Sequence, residues 1–280
     1  MSGRYEIEPV EHLQWNDIVE FFDKSFDYRM HHPQCQRITF YDTFDWRFYS
    51  NNLTLSESGQ EFTLAPIDDP RPVCRFKWTR KTPYRYPGDH SDPELAARFT
   101  KLQDVRAALP VASADILTES CDVLNSDRKV ISRIKLEEVS VHEEKIERIL
   151  TIDPVRGYDE EHDLICRSLS APGLDEMSAA PPLLMQICEH LAIKPGTYSS
   201  KIKSVLAPEM SSQQAAALLI SEMLTVIQAN EQGIIDCIDT EFLHDFRVAV
   251  RRIRALLSQM KTVFSIDATE AMKNDFSALG

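Results

Sequence analysis

His244, Arg247, Arg251, Arg254 and Lys261 recur at helical spacing within Glu241–Phe264, EFLHDFRVAVRRIRALLSQMKTVF. A guanidinium group donates two parallel, charge-assisted hydrogen bonds, which suits phosphate oxygens. On a helix turning about 100° per residue these side chains form one row, roughly 20 Å long from Arg247 to Lys261 at ~1.5 Å per residue. Beside it Phe246, Val250, Ile253, Leu257, Met260 and Phe264 form an apolar stripe, widened by Ala249, Leu256 and Val263. Asp245 is the only carboxylate between Glu241 and Arg247. A solvated helix face usually mixes both signs, whereas this row carries one. A one-sign row at the rim of a core stripe can hold a linear polyanion. The plainer alternative is a helix whose arginine stems merely cover apolar surface.

A second set of charged residues alternates along predicted strands. Glu6 and Glu8 share one face of a strand over Arg4–Val10, and two such carboxylates can bind a hard cation such as Mg2+. Arg75 and Lys77 share a face of a strand over Val73–Trp78, opposite Cys74, Phe76 and Trp78. In a hairpin predicted over Asp122–Val141, turning at Ser126-Asp127, Lys129, Arg133, Lys135 and Glu137 share a face with Ile131. Arg106 falls at the end of a helix predicted over Glu94–Leu109.

The elements that position these residues follow from periodicity and turn chemistry. A helix is predicted over Leu13–Phe26, and strands over Arg37–Leu64 with turns at Asp42–Asp45, Asn51-Asn52 and Ser58-Gly59. A further strand covers Arg148–Tyr158, and a helix opened by Pro181-Pro182 covers Ala179–Leu191. Lys194–Pro208 has connector composition. Ser211 with Gln214 makes a capping-box start for the next helix, which Asn230–Gly233 should end.

Composition narrows the function classes. The 280 residues carry a net charge of −13, with 43% hydrophobic and 27% charged residues, as in a soluble globular protein. That balance argues against general nucleic-acid or anionic-membrane binding and leaves room for a local cationic groove. Six scattered cysteines without a C-x-x-C read as reduced thiols, which points to the cytoplasm. There is no apolar run near 18 residues and no P-loop, G-x-G-x-x-G or H-E-x-x-H motif.

The string H-x-x-R-V-x-x-R-R-x-R, formed by His244, Arg247, Val248, Arg251, Arg252 and Arg254, resembles the first signature helix of the CHAD family, the conserved histidine α-helical domain. The resemblance implies a helical bundle that binds inorganic polyphosphate on a basic surface. Arg247, Arg251, Arg254 and Lys261 would contact phosphate oxygens, with Arg252 and His244 secondary. E-I-E at Glu6–Glu8, Y-D-T at Tyr41–Thr43 followed by D-W-R, V-R-A around Arg106 and P-x-R-G-Y ending at Tyr158 are similar to the CYTH, or triphosphate-tunnel, family. That likeness implies an antiparallel barrel whose tunnel would be lined by Arg75, Lys77, Arg106, Lys129, Arg133 and Lys135, with Glu6, Glu8 and Glu137 as metal ligands. The family's first lysine is replaced by Val10, and its L-R-x-R segment by Leu53–Ser58, which has no arginine. Both changes remove charge from where phosphates would sit.

The expected fold is therefore α+β: a CYTH-type antiparallel barrel with flanking helices over 1–207, a connector at about 194–210, and the first helices of a CHAD bundle over 211–280. The end of the chain reads as the opening of a third helix, so the stripe Phe246–Phe264 is expected to lack part of its packing partner and to favour self-association. The expected function is polyphosphate binding. The rivals are a Mg2+- or Mn2+-dependent triphosphatase in the barrel and a structural adaptor whose arginine row pairs with an acidic protein.

Overall fold

The structure, a computed structural model, describes residues 3–6, 26–69, 71–80, 82–170, 175–176, 182–260 and 262–279. The predicted helix from Leu13, together with Glu8, Val10 and Lys261, lies outside these residues. The chain divides into two compact units. The first holds Met1–Tyr41, Asn52–Arg80 and Pro110–Pro195; the second holds Asp42–Asn51, Lys81–Leu109 and Gly196–Gly280. Two segments embedded in the N-terminal range thus belong with the C-terminal helices.

The first unit is built on strands β1 (Gly3–Glu6), β2 (Asp27–Met30), β3 (Gln34–Asp42), β4 (Leu53–Ser58), β5 (Glu61–Pro66), β6 (Cys74–Lys77), β7 (Leu109–Leu124), β8 (Val130–Val141), β9 (Glu144–Pro154) and β10 (Asp175–Glu176). They form one sheet in the order β10-β1-β9-β8-β7-β3-β4-β5-β6, with β2 also paired to β7. The chain reverses tightly between β4 and β5 at Gly59, whose φ of 63° costs glycine little. Among the described residues no pairing joins β6 to β10, so the expected closed barrel is replaced by an open sheet. Its termination is legible in the residues: the short β6 carries Arg75 and Lys77, and charged, short edge strands resist further pairing.

One sheet face packs on the helix α1 (Asp159–Ser170). Cys121, Val123, Ile134, Leu136, Leu150 and Ile152 alternate onto it and meet Ile165. Ile131 joins this core, which overturns its expected place beside Arg133. The register steps from Val123↔Ser132 to Leu124↔Val130, so Ile131 is the extra residue of a bulge and turns to the other face. A short helix, α2 (Leu183–His190), also packs against β9.

The second unit begins at Asp42, whose carboxylate accepts the backbone N–H of Thr43, Phe48 and Tyr49 at 2.7, 2.9 and 2.9 Å. The Y-D-T string thereby nucleates the helical turn α3 (Arg47–Ser50). Helix α4 (Pro93–Gln103) starts under an Asp92 cap. It stops at Asp104, whose φ of 55° leaves helical space, so the chain is already out of the helix at Arg106 and not still in it to Leu109. Helix α5 (Ser212–Ile235) begins with the expected Ser211–Gln214 capping box. It runs through Gly233, which was expected to end it; a side chain there would overlap the Phe242 ring. Helices α6 (Thr240–Gln259) and α7 (Ile266–Ala278) complete the unit.

Part of the stripe on α6 is covered. Val250, Ile253 and Leu257 are buried against Ile220, Met223, Val226 and Ile227 of α5, while Phe246, Leu256, Phe264, Met272 and Phe276 pack around them. Within these residues α5 supplies the surface that buries Val250, Ile253 and Leu257, while Phe246, Leu256, Met260 and Phe264 are half-buried.

Candidate functional site

Burying one face of α6 determines what the other face presents. His244, Arg247, Arg251 and Arg254 are exposed, and among the described residues none of them forms an ion pair. At about 100° per residue, Arg247, Arg251 and Arg254 lie within ~60° of one another on the wheel. Arg252 falls on the opposite flank of the exposed face, where Nη1 donates to the carbonyl of Ser200 at 3.0 Å. It ties the connector to α6 and stands apart from the row.

Asp245 is not a surface neighbour of that row. It accepts from Arg106 Nη2 at 2.6 Å and from the Tyr198 hydroxyl at 2.9 Å. Asp239, the cap of α6, receives the N–H groups of Glu241, Phe242 and Ala107, and lies 3.4 Å from Arg106 Nη1. The Arg106 side chain is 2% exposed, and its guanidinium also sits 5.1 Å from the centre of the Phe242 ring. Asn230 of α5 donates to the Tyr198 hydroxyl at 2.7 Å. Burial, ahead of the neighbouring charges, pushes the Tyr198 phenol well above its ordinary range, so it stays a neutral donor to Asp245. Sequence reading assigned Arg106 to a tunnel; the structure places it in the helical unit, neutralised by buried carboxylates. Spacing contained the signal: Phe242, Asp245 and Ala249 step by three and four along the buried side of α6.

The other predicted tunnel residues lie in the sheet unit. Register places Arg75 and Lys77 opposite Thr63 and Glu61, at the edge strand, where both are exposed and Arg75 lies 3.9 Å from Glu61. Lys129 sits in the β7–β8 turn beside Asp127. Arg133, Lys135 and Glu137 do share a face of β8: Arg133 lies 3.6 Å from Asp122, and Lys135 lies 3.2 Å from Glu137. Burial works to raise the Asp122 carboxyl, but Arg29 and His31 together hold it below its ordinary range. Glu6 pairs by backbone with Ile149 and Asp175.

That face carries two depressions. One, of about 760 Å3, is lined by Ile38, Phe40, Ile116, Val139 and Ile149, by serine and threonine hydroxyls, and by Asp68, Asp69, Glu137 and Glu147; its described lining contains no arginine or lysine. The other, of about 530 Å3, is polar, with His31, His32, Lys135 and Glu137 among its walls. Of the expected metal trio only the Glu137 side chain is described, and Lys135 engages it. Among the described residues no group of three or more His, Cys, Asp or Glu side chains is arranged to hold a metal ion.

Comparison with known proteins points to the same helix. Residues 218–280 match the family model described as the CHAD domain, a span that includes α6 and its arginine row. No curated protein matched. Among solved structures, the PH1819 protein of Pyrococcus horikoshii OT3 is similar over 66% of this chain and 99% of that one, at 12% identity and a TM-score of 0.33. No described helix is long and apolar enough to cross a membrane.

Proposed function

We propose that the exposed row His244, Arg247, Arg251 and Arg254, extended in sequence by Lys261, binds inorganic polyphosphate or a closely similar linear polyanion. The observation that carries this reading is that Arg247, Arg251 and Arg254 share one exposed helix face without ion-pair partners among the described residues, in a chain of net charge −13. Leaving several like charges adjacent and unpaired costs free energy that a bound polyanion would recover. The CHAD match over this helix supports the reading, because the family resemblance carries polyphosphate binding with it. Regularly spaced guanidinium forks would contact successive phosphates, and binding would release counterions.

The test is an anisotropy titration of the full chain with labelled long-chain polyphosphate at two salt concentrations. Wild type should bind and weaken steeply with salt. An Arg251→Glu/Arg254→Glu variant should lose at least about tenfold in affinity while keeping its helical circular dichroism. Absent binding at low salt, or a double variant that binds like wild type, would overturn the proposal.

A further inference from the structure

In the sheet unit a histidine is held between a serine and a cysteine. His162 and Cys166 stand one turn apart on α1, so their side chains meet on one helix flank. The His162 ring is almost wholly buried, at 3% residue exposure. Its Nε2 lies 3.5 Å from Cys166 Sγ and its Nδ1 lies 3.3 Å from Ser132 Oγ on β8. Ser132 donates its own hydroxyl proton to the Asp153 carbonyl at 3.1 Å, which leaves an oxygen lone pair to accept from Nδ1–H. In that tautomer Nε2 offers its lone pair to the thiol. If the proton moves from sulfur to Nε2, each ring N–H still has an acceptor: Ser132 Oγ on one side and the thiolate on the other. A nucleophile, a base within reach and a third group that orients the base are the parts of an activated thiol.

Four other cysteines sit in different surroundings. Burial pushes the Cys121 thiol up to about 12, with Asp122 adding to the effect, and the Cys188 thiol up to about 11. Cys35 and Cys237 are exposed. Cys166 is half-buried, with its sulfur 3.5 Å from His162 Nε2.

We propose that Cys166 is a reactive thiol, activated by His162 and positioned through Ser132, that is modified by small disulfides and soft electrophiles. With glutathione disulfide, the Cys166 sulfur attacks one disulfide sulfur and the S–S bond breaks. A mixed disulfide forms on Cys166, and the departing glutathione thiolate takes the proton that His162 received from Cys166. No external oxidant is needed beyond the disulfide itself, and a second thiol reverses the step. On α1, Asp159, Glu160, Asp163 and Arg167 are exposed and Glu161 is half-buried; Tyr158 and Cys121 share the core cluster. Arg133 and Asp153 pair in register on the alternate face of β8 and β9.

The experiment is peptide-resolved alkylation of the full chain with iodoacetamide from pH 5 to 10, with Cys35 as the internal reference. The Cys166 rate should rise at a midpoint at least about one pH unit below that of Cys35. In His162→Gln the Cys166 midpoint should move up to or past that of Cys35, with a loss of about tenfold in rate at pH 7 while Cys35 is unchanged. Glutathione disulfide should add about 305 Da at Cys166 in wild type and not in the variant. A wild-type midpoint at or above that of Cys35, or no labelling of folded protein, would overturn the proposal without recourse to any variant. A His162→Gln protein that keeps its strand signal and its Cys166 midpoint would overturn it as well.

Discussion

The Arg106 guanidinium donates to the Asp245 carboxylate at 2.6 Å, across 139 positions of the chain. Asp239 lies on the same guanidinium, and the Arg106 and Asp239 side chains are 2% and 1% exposed. Removing the cation would leave carboxylates buried without compensation. Arg106→Met should therefore destabilise the helical unit by about 3–5 kcal/mol, read as a lower midpoint in urea followed by helical circular dichroism. An unchanged midpoint would mean that water reaches both carboxylates.

Gly233 faces the Phe242 ring from within α5. Glycine to alanine in a helix interior ordinarily gains about 0.5–1 kcal/mol. Here overlap with a ring that is 2% exposed should outweigh that gain, since overpacking a filled core costs about 1–3 kcal/mol. Gly233→Ala should lower the melting temperature, and a rise would show that Phe242 has room to move.

Asp42 supplies a pH signature. Burial, against three N–H donors, pushes its carboxyl from 3.8 up to about 6. The folded state then holds a proton that the unfolded state has released, so stability falls as pH rises from about 4 to about 6. The full effect is of order 2–3 kcal/mol. Asp42→Asn should start from a lower baseline, having lost an acceptor, and should lack this component of the slope. Parallel pH profiles for the two proteins would refute the assignment.

Arg251 and Arg252 are adjacent in sequence and should separate in experiment. Arg251→Ala should weaken polyphosphate binding and reduce the log–log salt slope by about 0.7–0.9, one phosphate's worth of counterions. Arg252→Ala releases the Ser200 carbonyl instead. It should leave the slope nearly intact and speed tryptic cleavage at Lys201 and Lys203. Equal slopes lost in both variants would place Arg252 in the row.

The arginine row was legible because a single strong period governs α6 and its buried face is continuous. The strands and turns from Gln34 to Pro66 were legible for a similar reason, as alternation punctuated by Asn51-Asn52 and Gly59. What failed were features set by distant partners. Asp245 read as part of a charged surface because its cation, Arg106, is 139 residues away. Ile131 was assigned to the wrong face because strict alternation cannot register a bulge fixed by its neighbour strand. Gly233 read as a stop because its reason for being glycine is a ring on the next helix. The His162–Cys166 spacing was visible as i, i+4, but nothing local marks Ser132 as its third member.

The helical unit is assembled from three separated stretches of chain, and this imposes an order on its making. Arg106 leaves the ribosome 139 residues before Asp245. At about 5–20 residues per second the cation waits roughly 7–28 s for its partner. Through that interval the residues from Lys81 to Leu109 must stay free for helices not yet synthesised. A fragment begun at Ser211 would contain every signature residue of α6 and still carry Asp239 and Asp245 without their counter-charge. The minimal folding piece of this helix is defined by Arg106 as much as by the helix itself.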